Sequence, residues 1–308
     1  MNTFTTKAQL ETAIKKYFNE PNNTDTLTSI KNNTNGYIET DISKWDTSNI
    51  TDMSDIFSHI PKIYYNPIVL NWDTSNVTNM SCMFYDCNQD FILNFNTINV
   101  TNMSSMFENT AAFNHPLNFD TRNVTNMSFM FYYATKFNQP LHFDTRNVTN
   151  MSHMFSNAYN FNQPLKFNTS NVTDMSYMFE EASHFNQTLD FDTRNVKNMS
   201  FMFCSAYRYN QPLNFDTRNV SDMSFMFHTS EKYSHPISFD TSNVIKMESI
   251  LTNANKYKHP IFFKHKKKPK KNSIYWHKYL HVLYPDEYNK LLLVYALSKI
   301  NDELLLLI

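Results

Sequence analysis

Phe119 to His142 reads F-D-T-R-N-V-T-N-M-S-F-M-F-Y-Y-A-T-K-F-N-Q-P-L-H, and at Phe143 the same sentence begins again. The Asn-Val or Asn-Ile pair that marks each unit falls at Asn49, Asn76, Asn99, Asn123, Asn147, Asn171, Asn195, Asn219 and Asn243, in steps of 27, 23 and then 24 six times. A fixed period of roughly 20 to 30 residues is the signature of a solenoid, whose coils bury their apolar sides against one another. The expected fold is therefore a repeat solenoid of about nine 24-residue coils, each of short strand plus short helix, with helical N- and C-terminal caps.

Working outward from this unit, identical apolar residues at identical phase must stack as columns. The aromatic before the Asp runs from Trp45 and Trp72 through Phe95 to Phe239, and a Met follows each Asn pair from Met53 to Met247. A second aromatic runs from Phe57 to Phe227, a third from Phe113 to Tyr257, and Leu117, Leu141, Leu165, Leu189 and Leu213 add another column. Within a unit, Pro140–Phe143 alternates in the period of a half-buried strand. Asp-Thr-Arg-Asn is the turn, and Ser128 is placed to cap a short helix carrying Met130, Phe131 and Ala134 inward. Gly36 is the chain's single glycine, so Asn, Asp and Ser are expected to supply the unusual backbone angles of the turns.

The flanks read differently. Residues 1–40 contain an N-terminal capping helix over 7–19, with Leu10, Ala13, Ile14, Tyr17 and Phe18 on one face, Thr5 or Thr6 at its start and Pro21 beyond its end. The repeats occupy 41–263, a basic linker 264–272, and a C-terminal helical cap of two helices 273–308. Net charge is −1, which gives no general attraction for polyanions. Cys82, Cys87 and Cys204 form neither a disulfide framework nor a zinc pattern. The start of the chain lacks the apolar run of a signal peptide, and no stretch approaches the ~20 apolar residues of a membrane span.

The runs D-T-S-N-V-T-N-M-S-C-M-F (Asp73–Phe84) and F-N-Q-P-L (Phe137–Leu141) resemble the BspA-type leucine-rich-repeat proteins. Within these the match is to the repeat family designated domain of unknown function 285, found in mycoplasma and other bacterial surface proteins, giant viruses and protists. The resemblance spans roughly Ile42 to Phe263 and implies a leucine-rich-repeat-like solenoid with an interaction role, with no catalytic residues to carry over. Surface location is common in that family. The start of this chain lacks the export signal and lipid-attachment cysteine of the bacterial members, so an intracellular or virion-associated setting is expected, with surface exposure as the alternative.

Several residue sets invite chemistry, each beside a structural reading. Asp120, Thr121 and Asn123 could offer calcium its oxygens; ladders of hydrogen bonds are preferred, because calcium-binding solenoids supply glycine and denser Asp. Glycosylation acceptors recur at Asn76, Asn79, Asn99, Asn102, Asn123, Asn126, Asn147, Asn150 and Asn171, and bonding of these amides to the backbone is preferred. Arg122, Arg146, Arg194 and Arg218 could form an anion stripe. Where Arg is lost at Ile98 and Ser170, the Asp two positions earlier becomes Asn96 and Asn168, which indicates charge compensation. Lys264–Lys271 could contact nucleic acid, and a solvated linker is preferred. His277 and His281 sit four apart, without the further ligands that a metal site needs. No phosphate-binding glycine loop and no distinguishable nucleophile–base set is present, so no catalytic residues, metal, cofactor or small-molecule substrate are expected.

Two surfaces remain for a protein partner. The variable strand position runs Asn118, His142, Lys166, Asp190, Asn214 and Ser238, on the face such repeats commonly use. An aromatic row runs Phe129, His153, Tyr177, Phe201 and Phe225; exposed, it marks an interface, and otherwise it completes the core. The expected function is a non-enzymatic protein–protein interaction scaffold. A surface adhesin or glycan-binding protein is the alternative, and nucleic-acid association through the basic run is a weaker one.

Overall fold

The computed structural model of the chain describes residues 3–19, 41–64 and 66–259. Residues 264–308, with the basic run, the expected C-terminal cap and the His277/His281 pair, lie outside the described residues, as does Gly36.

Helix α1 (Lys7–Asn19) opens the described chain. Thr6 Oγ1 accepts from the Gln9 amide while Gln9 Oε1 accepts from the Thr6 amide, a reciprocal cap for two otherwise orphan donors. Its apolar face, Leu10, Ala13, Ile14 and Phe18, is buried. Phe18 meets the first two repeats edge-on, at 6.2 Å from Phe57 and 6.3 Å from Phe91.

Successive units run side by side in parallel register. Eight parallel bridges link Asp52, Asn79, Asn102, Asn126, Asn150, Asp174, Asn198, Asp222 and Lys246, all at one phase of the repeat. Beside them Thr125 N donates to Thr101 O and Thr149 N to Thr125 O, both at 2.9 Å. The apolar columns are buried: Val124, Met127, Met130 and Phe131 are fully covered, as are their counterparts Val148, Met151, Met154 and Phe155. Phe107, Phe131, Phe155 and Phe179 stack with centroids 5.6–5.7 Å apart and planes within 7° of parallel.

The segment after Ser128 differs from the expected short helix. Met130 N, Tyr132 N and Ala134 N each close a tight turn, on Met127 O, Phe129 O and Phe131 O. The alternate donors point out of the unit: Met127 N, Phe129 N, Phe131 N and Tyr133 N reach Asn150 O, Ser152 O, Met154 O and Ser156 O of the next. In a helix every N–H would bond within the segment. Here alternation of hand does the sharing, with Phe129 at φ 59° and Tyr133 at φ 54°.

The expected strand is likewise only partly formed. Strands β1 (Ile68–Leu70) and β2 (Phe91–Leu93) pair in parallel, Val69 opposite Ile92. In later units the place of Ile92 is taken by Pro116, Pro140, Pro164, Pro212 and Pro236, which have no N–H to give a ladder. Side-chain amides join the units there instead. Asn114, Asn138, Asn162 and Asn186 each accept, through Oδ1, the backbone N–H of the Asn 24 residues on, at 2.8–2.9 Å.

Candidate interaction face

The turn that precedes each parallel bridge is fixed by three side chains. Thr121 is buried and its Oγ1 donates to Asp144 O at 3.0 Å, one unit on. Asn123 Nδ2 donates to Ile98 O at 2.8 Å, one unit back. Asp120 Oδ1 accepts the Arg122 amide at 3.2 Å and Arg122 Nε at 2.9 Å, and Oδ2 takes Arg122 Nη2 at 2.7 Å. These are ladder bonds between and within units, and they engage both carboxylate oxygens of Asp120. Asn76, Asn99, Asn147 and Asn171 spend their Nδ2 groups on carbonyls in the same way.

The Asp–Arg pair recurs at Asp144/Arg146, Asp192/Arg194 and Asp216/Arg218. Hydrogen bonds from each Arg hold the Asp carboxyl below the usual carboxylate range. The four Arg side chains stay 59–67% exposed, so each pair adds little to stability. At Asn168 the turn is kept without charge: Oδ1 accepts from Ser170 N at 3.1 Å and Ser170 Oγ at 2.7 Å. The turn also keeps its Asp where Ser replaces Arg, at Asp46/Ser48, Asp73/Ser75 and Asp240/Ser242, so its geometry does not depend on charge compensation.

All six residues of the strand row, Asn118, His142, Lys166, Asp190, Asn214 and Ser238, are exposed, between the buried columns of Leu117, Leu141, Leu165, Leu189, Leu213, Ile237 and of Phe119 to Phe239. His142 also lines a solvent-open recess of ≈ 530 Å³ with Phe119, Asp120, Arg122, Asn123, Asp144 and Arg146. The sequence placed the Arg stripe and the strand row as separate features; the structure brings Arg122, His142 and Arg146 to one rim.

The aromatic row is neither an exposed stripe nor part of the core. Phe129, His153, Tyr177, Phe201 and Phe225 are half-buried and stacked face to face, with centroids 4.2–4.6 Å apart and planes within 11°. The rings cover one another's faces and leave edges to solvent. All five stand at positive φ, which aims them along the column while their N–H groups bond the next unit.

Elsewhere the environments are those of covered side chains. Burial pushes the thiol of Cys87 up to about 12 and that of Cys204 to about 11, the reverse of an activated nucleophile. Glu180 is half-buried with its carboxyl held above the usual range by burial, and it accepts from Ser156 Oγ at 2.9 Å. Among the described residues no cluster of three His, Cys, Asp or Glu could hold a metal, and no helix is long and apolar enough to cross a membrane. The Asn–Gln ladder went unseen in the apolar periodicity; its signal was the repeated Phe-Asn-Gln-Pro-Leu run, where Gln163, Gln187 and Gln211 join the Asn groups.

A family model described as Mycoplasma protein of unknown function, DUF285, matches residues 24–142, 116–191 and 188–275. The chain belongs to this family. The second and third DUF285 matches begin at Pro116 and Thr188, the same phase of the repeat three periods apart. All six strand-row residues fall inside DUF285 matches. No curated protein and no solved structure matches the chain.

Proposed function

We propose that this DUF285 protein is a leucine-rich-repeat-like solenoid that acts as a non-enzymatic scaffold for another protein, which binds along the strand row. The observation that carries the reading is the contrast within one stretch of backbone. Leu141 and Phe143 recur unchanged and buried in most units, while the exposed residue between them is His142, then Lys166, then Asp190. Packing holds the columns constant, and solvent-facing positions that differ unit by unit give a surface its specificity. The parallel ladders space these side chains at about the 4.8 Å of paired strands, so one extended partner segment can read several at once.

The test compares the intact protein with a variant carrying His142→Ala, Lys166→Ala and Asp190→Ala, exposed changes that should leave melting unchanged. A protein captured from the producing cell's lysate is then purified and titrated against both. Direct binding to the intact chain, lost in the variant, is expected. Equal affinity for both would remove the strand row as the binding face.

A further inference from the structure

This inference rests on the scaffold reading and names the chemistry of the partner at one point of the face. The recess between 119–123 and 142–147 is lined by Arg122 and Arg146 from neighbouring units, with His142 between them in the chain and Asn123 and Asn147 beside them. A guanidinium has five N–H donors in a fixed fork. Asp120 takes the Nε/Nη2 edge of Arg122, and Asp144 takes that of Arg146. The end-on Nη1/Nη2 edge of each is left with no hydrogen-bond partner among the described residues. The two carboxylates are already engaged by their own arginines, so the recess offers donors far more than acceptors.

We propose that this recess takes a carboxylate side chain, Asp or Glu, of the partner protein, held by the end-on edges of Arg122 and Arg146. That edge matches a carboxylate in bidentate geometry. The arginines and carboxylates of the lining balance, Arg122 and Arg146 against Asp120 and Asp144. A monoanion suits such a site better than a phosphate dianion, whose desolvation asks for more uncompensated positive charge. The arginines at 194 and 218 follow strand-row residues Asp190 and Asn214 in the chain, where Arg122 and Arg146 follow Asn118 and His142, so the row carries a carboxylate there that opposes a second anion.

The chain itself supplies the replacement for a test, because Asn168/Ser170 keeps the same turn without charge. One variant carries Asp120→Asn, Arg122→Ser, Asp144→Asn and Arg146→Ser. Its control carries Asp192→Asn, Arg194→Ser, Asp216→Asn and Arg218→Ser, and both keep the net charge of the protein. A fluorescein-labelled Glu-rich peptide at low ionic strength is titrated by anisotropy, with inorganic phosphate as competitor. The expected result is a Kd at least tenfold weaker for the first variant and unchanged for the control. Equal weakening of both, no binding to the intact protein, or displacement by inorganic phosphate at lower concentration than by free glutamate would each overturn the proposal. If the captured partner still binds the first variant but not the His142/Lys166/Asp190 variant, the scaffold reading stands while the carboxylate falls. If it still binds the latter with undiminished affinity, the strand row is not the binding face and that part of the scaffold reading fails.

Discussion

His153 lies flat between Phe129 and Tyr177, its centroid 4.2 Å from each. Its Nδ1 is buried without a partner. Burial lowers its pKa to about 4, against an opposing pull from Asp174. The sign follows directly: between about pH 6.5 and 4 the unfolded chain takes up a proton that folded His153 refuses, so stability falls as pH falls through that window. Phe occupies the same phase at Phe129 and Phe201, so His153→Phe should fold and should flatten the pH dependence. Carboxylates and His228 are common to both proteins and cancel in the difference. Melting temperatures at pH 7.5 and 4.5 check this; the same drop in both would mean that His153 titrates normally. The residue scale is also where the sequence is least legible. Asn, Asp and Ser were the expected bearers of left-handed angles, and Asp55, Ser105 and Asn109 fit, but Phe129, Tyr133, Glu181 and Thr229 take them too. Each non-glycine residue there costs roughly 1–2 kcal/mol. The angle is set by where the N–H must point, a demand of the neighbouring unit that side-chain preference does not reveal.

Within one unit, Met127, Met130, Phe131 and Ala134 recur at the 3, 4, 7 spacing of a helix, and three successive tight turns, with Phe129 and Tyr133 at positive φ, bring the same four inward. Periodicity alone does not separate the two, which is why the turn was legible as a buried face and not as its backbone. The strand was legible as Leu and Phe alternating, and its loss of pairing was written in the Pro that precedes Leu. Thr188 is the exception, standing where Pro116, Pro140, Pro164, Pro212 and Pro236 stand in other units. It is exposed, Gln187 precedes it as Gln precedes Pro140, and its backbone N–H makes no hydrogen bond within the described residues. Thr188→Pro should therefore stabilise the protein by about 0.4–1 kcal/mol, through the unfolded chain's lost freedom. Chemical denaturation reads the change as a raised midpoint at constant slope. A lowered midpoint would show that this unit departs from the backbone path of its neighbours.

At the scale of the whole molecule, the ladders and ring columns among the described residues couple each unit to its immediate neighbours, so energy should be shared between neighbours and additive at a distance. The sequence made the columns readable because the same apolar residue returns at the same phase; which outward side chains gather at one rim depends on turn geometry and was not readable. Phe155 and Phe179 stack at 5.7 Å with planes 7° apart, while Phe107 and Phe203 lie four units apart in the same column. Phe→Leu at each site keeps the volume close and removes the ring. Stacked aromatic pairs contribute about 0.5–1.5 kcal/mol beyond burial. Phe155→Leu and Phe179→Leu each lose that shared stack, so the double variant should be less destabilised than the sum of the singles by about that amount. Phe107→Leu with Phe203→Leu should add within about 0.5 kcal/mol. Equilibrium urea unfolding of the six variants decides it, provided the slopes match that of the intact protein. Additivity in both pairs would mean that the rings contribute only through burial, and coupling in both would mean that the units unfold as one body whose strain travels farther than the nearest neighbour.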